Sequence, residues 1–417
     1  MTATGDVLLV CGLLGDRLGG AERQIVRLAN ALHNTGRRVV LLSKEGSRAS
    51  LGLDAGVVHL SWNDRSPHPT LAARALRRFP AARRLVEHAI VVSVRHARGR
   101  ASRGRSTALL DAQIVRMGRW VRGPKGDRLA AALEDVSGDI IVGFLTDPSR
   151  NLALAVWEDT TPVIVAVRSD PSRDVRAQPW EALKYVTHRR AAVVTVNASS
   201  LLPNLERFPE IGAGRGRFVP NILVQNRRPS GFGENFVCIS HLAPHKRVGL
   251  AVRAFAECAD RVPSWRLVIA GDGPERSALQ ALASKLGVGD RTDFLGEIDD
   301  VSDVLVAGGI LVHPSGREGM PNAVMEALQF GLPAIVTRES PGAVELIEGT
   351  SPPAGVVIEQ ADPGSIAAAM VSLATDPARR RMLGASGRRS MAAFTSEAAV
   401  DVWETVLTDA AVSDSMA

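Results

Sequence analysis

One tyrosine stands in 417 residues, and aromatic side chains make up only 4% of the chain. So thin a supply leaves few platforms on which bases could stack, and no nucleic-acid partner is expected. Cysteine is nearly as scarce: Cys11, Cys238 and Cys258 are odd in number and widely spaced, which predicts neither a disulfide framework nor a metal site. Long apolar runs are missing as well. The best of them, residues 89–94 and 191–196, fall far short of the roughly 20 residues that a membrane-spanning helix requires. No Asp-x-Asp metal motif follows a strand, and Asp299-Asp300 reads as a pair of loop acids. The chain passes from Thr2-Ala-Thr-Gly-Asp straight into an apolar strand, without the basic region and cleavage site of a signal peptide, so a cytoplasmic location is expected.

What the chain does contain is ordinary globular material, 45% hydrophobic and 23% charged, in a length that suits two domains with a core each. Its charge is uneven. Residues 1–230 carry 35 Lys and Arg against 20 Asp and Glu, net +15, and residues 231–417 carry 15 against 24, net −9, which together give the overall +6. Most of the excess lies in 74–128, where 15 basic residues face only Glu87, Asp111 and Asp127. Within it Leu71, Ala75, Phe79, Ala82, Val86 and Ile90 form a stripe of helical period amid arginines. That pattern predicts one basic amphipathic helix, suited either to an anionic membrane surface or to covering its own sheet with its arginines solvated.

Residues 6–13 read as a strand, a loop with Gly15, Gly19 and Gly20 follows, and Ile25, Leu28, Ala29 and Leu32 share one face of the next helix. Arg38-Val-Val-Leu-Leu-Ser is then a strand, and buried-strand runs recur at 140–144, 163–167 and 192–196. A strand-helix-strand unit with short loops implies a parallel, helix-covered sheet. After Phe218-Val-Pro-Asn-Ile-Leu and a linker rich in Arg, Pro and Gly over 225–233, the pattern restarts with strands at 235–240, 266–270, 292–295, 310–313, 334–337 and 355–358. The expected organisation is a first domain over 1–225, a second over 226–395, and a last helix over 396–417 free to pack on either, each domain doubly wound.

Chemistry concentrates in His313-Pro-Ser-Gly-Arg-Glu-Gly-Met-Pro-Asn-Ala-Val-Met-Glu. A buried strand ends at His313, a glycine-bearing loop holds Glu318, and a helix from about Pro321 carries Glu326. Ligands of open α/β sheets bind outside the carboxyl ends of strands, where this loop must lie, and the helix start favours anions. Two carboxylates beside a phosphate would repel it, so they are better suited to accepting hydrogen bonds from sugar hydroxyls. A mainly helical path of eight residues spans about 12 Å, wider than the carboxylate pair of glycosidases. Alone, such a pair also fits two ordinary surface acids.

The run Glu318–Glu326 resembles the E-x7-E signature of the retaining family 4 glycosyltransferases. Gly271-Asp-Gly-Pro-Glu, Asp293-Phe-Leu-Gly and Gly331-Leu-Pro-Ala-Ile-Val-Thr are similar to that family's other landmarks in order, and Gly19-Gly-Ala-Glu-Arg to its N-terminal glycine loop. The resemblance is strong over about 235–400, fair over 6–45 and weak over 60–130. It implies an α/β protein of the GT-B fold, two Rossmann-like domains facing each other across a cleft. It implies that Glu318 contacts the donor sugar hydroxyls, Glu326 the ribose, and Lys246 the leaving diphosphate. His241 stands where the family usually has arginine, with Arg247 as a possible substitute or a solvent-facing residue. Gly19 and Gly20 would admit the donor phosphates or the acceptor, while Gly319, Met320, Pro321 and Asn322 would line the donor site and Phe294 and Leu295 the base. The family histidine of the first domain is missing, since Phe144 or Leu145 occupies its region; Phe144 is kept as an acceptor-side or cleft candidate, and Arg168 and Asp170 of an Arg-x-Asp-Pro turn are acceptor-side candidates or salt-bridged loop residues.

The resemblance therefore implies a metal-independent, cofactor-free, retaining transfer of a hexose-type sugar from a nucleotide diphosphate sugar, UDP before GDP. Attack on the same face would pass the acceptor proton to the leaving phosphate oxygen. With the basic stretch, it points to a lipid-linked saccharide or glycolipid of the cell envelope as acceptor and to a peripheral seat on the membrane. A soluble acceptor such as an aminocyclitol, a non-catalytic sugar-nucleotide-binding subunit and an epimerase of the same fold are the alternatives.

Overall fold

The structure, a computed structural model, describes residues 5–12, 19–45, 51–63, 71–144, 146–171, 182–205, 207–224, 232–316 and 318–414. Gly15 of the expected glycine loop, Leu145 and most of the expected 225–233 linker lie outside these residues. The chain divides into two compact units: Met1–Asn197 with Leu201–Val219 and Ala399–Ala417, and Ala198–Ser200 with Pro220–Ala398.

The first unit holds a parallel sheet of seven strands, β1 Val7–Val10, β2 Val39–Ser43, β3 Val58–Ser61, β4 Ile140–Phe144, β5 Val163–Val167, β6 Val193–Val196 and β7 Gly216–Phe218, in the order β3-β2-β1-β4-β5-β6-β7. β1, β2, β4 and β6 are buried along their whole length, which is why they read as continuous Val, Ile and Leu rather than as alternation. The strands β3 and β7 escape the sequence pattern because they are sheet edges, only partly buried, and β7 is three residues long.

The longer helices of this unit before its last are α1 Gly20–Asn34, α2 Leu71–Arg78, α3 Pro80–Ala101, α4 Ala108–Val121, α5 Gly123–Glu134, α6 Thr146–Ala155 and α7 Lys184–Arg190. The expected single basic helix is two. Pro80 lacks an amide hydrogen and opens a new helix after Phe79, so the apolar stripe loses its phase: Leu71, Ala75 and Phe79 face outward, and Val86, Ile90, Val94 and Ala97 face inward. The inward set builds a second core with Ile114 and Val115 of α4, Ala153 and Leu154 of α6, and Leu183 and Tyr185. Tyr185, the single tyrosine, donates to the buried Asp111 at 2.6 Å, and Asp111 also accepts from Thr107 at 2.8 Å.

The second unit has six parallel strands, β8 Asn235–Ile239, β9 Arg266–Ala270, β10 Thr292–Gly296, β11 Ile310–His313, β12 Ala334–Thr337 and β13 Gly355–Ile358, ordered β10-β9-β8-β11-β12-β13. Its helices are α8 Val248–Cys258, α9 Arg276–Lys285, α10 Ser302–Val306, α11 Asn322–Phe330, α12 Pro341–Glu348, α13 Pro363–Ala374 and α14 Pro377–Met391. Counted from its own first strand, each sheet runs 3-2-1-4-5-6, the Rossmann order, and the first adds β7 as a seventh strand at the edge. Cys238 and Cys258 are core residues whose thiols burial pushes up to about 12 and about 11, as inert packing groups.

The last helix, α15 Ser396–Asp414, belongs to the first unit from Ala399 onward. Trp403 is fully buried against Phe144, ring centroids 6.1 Å apart. Arg37 donates to Glu404 at 2.7 Å, and Arg217 pairs with Asp409 at 2.8 Å.

Candidate functional site

In the second sheet the chain leaves β8 toward β9 on one side and meets β11 on the other, so the crevice between the carboxyl ends of β8 and β11 is the topological switch point. The turn after β9 is pressed onto the chain leaving β8: Gly271 has φ +138°, and a Cβ there would lie 1.9 Å from the Ser240 carbonyl oxygen. Only glycine fits. Leu242 N–H then donates to the Asp272 carbonyl at 2.8 Å, which fixes the path of 240–246.

Lys246 from this side and Glu318 from the loop after β11 meet as an ion pair, largely withdrawn from solvent. Ser315 donates to the same Glu318 oxygen at 3.1 Å, and His313 Nε2 stands 3.8 Å from it. Burial pulls the Glu318 carboxyl upward, but the Lys246 ammonium, His313 and the hydrogen bonds from Lys246 and Ser315 leave it below the ordinary carboxylate range. It is an anion at neutral pH. Burial drives the His313 imidazole down to about 4, with Glu318 pulling up and Lys246 adding to the depression. His313 is therefore neutral, and its Nε2 has no hydrogen-bond partner among the described residues. His313 and Ser315 were legible only as the strand-end letters of the motif, and nothing in their spacing signalled that they converge on Glu318.

Arg247, at φ +53°, stays half-exposed and does not turn onto the Lys246 pair. Its guanidinium reaches Glu339 after β12 at 2.6 Å and lies so close over Gly316 that a Cβ there would be 2.6 Å from its central carbon. His241 is exposed just beyond β8. The loop Gly319–Pro321 is held from two sides. Asn221 donates to the Met320 carbonyl at 2.9 Å and to Asn322 Oδ1 at 2.8 Å, and Gly342 at the start of α12 approaches until a Cβ would sit 1.8 Å from the Gly319 oxygen. Met320 and Pro321 are buried. Since α11 begins only at Asn322, the spacer between Glu318 and Glu326 is half loop and half helix, not mainly helical, and Glu326 sits half-buried on α11. Phe294 and the exposed Leu295 lie on β10, the sheet edge, where Arg276 ties the Phe294 carbonyl at 3.2 Å and Asp272 at 3.1 Å.

The first unit presents less. Gly19 caps α1 with an extended backbone, φ −69° and ψ 176°, so its conformation does not itself demand glycine; Gly20 is the first helical residue, and both are exposed. Phe144 is corrected from an acceptor-side candidate to a packing residue: it has no exposed surface, lying between Trp403 and the Arg168 guanidinium, 5.6 Å above its ring. Burial pushes Arg168 down to about 10. Asp170 is buried and accepts from Asn204 at 2.9 Å. Among the described residues no group of three or more His, Cys, Asp or Glu could hold a metal ion, and no helix is long and apolar enough to cross a membrane.

Residues 226–390 match the family model described as glycosyl transferases group 1. The chain is 30% identical over 194 residues to an exopolysaccharide phosphotransferase of Streptomyces coelicolor, covering 46% of this chain and 20% of that protein. It is 29% identical over 197 residues to the GDP-mannose-dependent alpha-(1-6)-phosphatidylinositol monomannoside mannosyltransferase of Mycolicibacterium smegmatis, covering 44% and 50%. It thus spans between a fifth and half of the length of these relatives. The crystal structure of Anabaena HepE in complex with UDP-glucose superposes with a TM-score of 0.70 at 16% identity, over 97% of this chain and 100% of that one. The fold is GT-B, with its two Rossmann-like domains.

Proposed function

From the premise that residues 226–390 are a glycosyl transferases group 1 domain, we propose that the chain is a retaining, metal-independent glycosyltransferase. It would move a hexose-type sugar from a nucleoside diphosphate donor, uridine before guanosine, to a lipid-linked saccharide or glycolipid of the cell envelope. One observation carries this reading: the Lys246–Glu318 pair, backed by Ser315 and neutral His313, at the switch point of the second sheet.

When a donor enters, its diphosphate competes with Glu318 for the Lys246 ammonium, and that ammonium opposes the charge that grows on the leaving phosphate. Glu318, released from the lysine, is free to accept hydrogen bonds from sugar hydroxyls. Amide groups at the start of α11, in the loop that Asn221 and Gly342 hold still, face the negative donor. Glu326 on α11 is assigned to the ribose, Phe294 and Leu295 to the base. Arg247 ties the segment after β8 to the loop after β12 through Glu339, which makes it a positioning residue, and His241 borders the diphosphate. Gly19 and Gly20 at the head of α1 are assigned to the donor phosphates or the acceptor, Arg168 and Asp170 to the acceptor, and the acceptor proton passes to the leaving phosphate oxygen.

The test is turnover with a panel of UDP- and GDP-sugars and extracted lipid-linked acceptors. Glu318→Gln and Lys246→Ala are each expected to lower kcat/KM by about a hundredfold or more, the scale of a lost electrostatic contact to a transition state. Full activity of Glu318→Gln would show that the carboxylate has no part in transfer.

A further inference from the structure

The excess positive charge of residues 74–128 is not spread over the fold but sorted by direction. Its three acids are turned to partners within the first unit: Glu87 to Arg83 at 2.9 Å, buried Asp111 to Tyr185 and Thr107, and buried Asp127 to Arg122 at 2.7 Å. Arg98 is drawn inward by the fully buried Glu210 at 2.7 Å, and Arg119 by the Leu154 carbonyl at 2.7 Å. Among the described residues of 74–128, what remains outside carries no carboxylate of its own, and the exposed Glu158 reaches Arg119 at 3.4 Å. Along α3 the exposed positions Arg84, Leu85, His88, Val92, Arg95 and His96 recur at three- and four-residue intervals and so share one face. On α2 Leu71, Arg74 and Arg78 share another.

Large apolar side chains stand among these cations. Leu71, Phe79 and Leu85 are 82%, 63% and 73% exposed, while the opposite side of α3 is already in use, with Ile90, Val94 and Ala97 buried in the second core. A face kept merely for solubility would not interleave leucine and phenylalanine with arginine, and a nucleic-acid groove would need more stacking rings than Phe79 supplies. Cations that attract phosphate headgroups, with apolar side chains between them long enough to enter the acyl boundary, are the two components of interfacial binding.

We infer that the outward face of α3, with α2 and Phe79 before it, is a docking surface for an anionic lipid bilayer. The surface serves the proposed transfer by bringing the protein to lipid-linked acceptors, but its binding chemistry does not involve the sugar site.

Flotation of the full-length protein with vesicles containing no saccharide tests it separately from transfer. At 0.15 M salt the wild-type protein is expected to float with phosphatidylglycerol/phosphatidylcholine vesicles and to stay behind with phosphatidylcholine alone. Each arginine near an anionic surface contributes about fivefold in affinity, so Arg84→Gln/Arg95→Gln is expected to weaken binding about 25-fold. Phe79→Ser/Leu85→Ser is expected to weaken it further at high salt, where the apolar contribution dominates. All three proteins should keep the same circular dichroism and thermal midpoint, since these side chains are exposed. Flotation that ignores lipid charge, wild-type protein that does not float with anionic vesicles, undiminished binding of both folded variants, or preference for a polyanionic RNA over the vesicles would each overturn the inference. Vesicle binding with no sugar transfer would refute the proposed activity and leave the docking surface standing.

Discussion

At the scale of single residues, the site depends on a buried histidine that must not take a proton. The ordinary His313 value near 6.5 is lowered to about 4 by burial, with Glu318 opposing and Lys246 assisting. Between these values the unfolded chain binds a proton that the folded protein refuses, so stability is complete above pH 6.5 and falls as the pH drops toward 4. The contribution at stake is about 3 kcal/mol. Urea midpoints measured between pH 7 and pH 4 should decline, and the decline should be shallower by about that amount in His313→Gln. An unchanged slope in the variant would remove His313 from the account. Glu318 acts in the same sense: its depressed value keeps the Lys246 pair intact above the ordinary carboxylate range, and the pair is lost as the pH falls further. The residue types Lys246 and Glu318 were legible in the sequence because they carry the motif. Their mutual ion pair was not, because 72 residues separate them and only the parallel pairing of β8 with β11 brings them together.

At the scale of elements, two contacts carry different consequences. Gly342 lets α12 come down on the Gly319 carbonyl, so Gly342→Ala should displace the loop before α11. Nucleotide affinity, read by calorimetry, is expected to fall at least about tenfold with the rest of the second sheet intact, since a displacement of an ångström is enough to cost that much. The α15 helix supplies Trp403 to the interior of the first unit. Trp403→Ala should destabilise that unit by about 3–5 kcal/mol, the usual cost of emptying so large a site, as measured by chemical denaturation. Helix phase also marks where sequence periodicity stops being informative. The stripe from Leu71 to Ile90 is genuine as a list of apolar residues, yet Pro80 resets the helix and sends its two ends to opposite environments.

At the scale of the whole molecule, two sheets with the same Rossmann order share one chain, and the Lys246–Glu318 pair occupies only the second. A nucleotide that binds there should protect that unit. At a hundred times its dissociation constant it adds about 2.7 kcal/mol to the state that binds it. Hydrogen exchange with saturating UDP is therefore expected to slow the amides after β8 and β11 while those of β1 and β2 keep their rates, and protection confined to β1 and β2 would overturn the placing of the donor on the second unit.

Local chemistry was enough to set the parallel α/β class, most of the strands and the motif residues. Apolar runs, glycine turns and helix starts act over a few residues, and their patterns survive in one dimension. The edge strands β3 and β7, the burial of Phe144, the seating of α15 on the first unit and the convergence of His313 and Ser315 on Glu318 were decided by tertiary structure. Each depends on what lies across a sheet or beneath a helix, and such neighbours are set by packing among residues far apart along the chain.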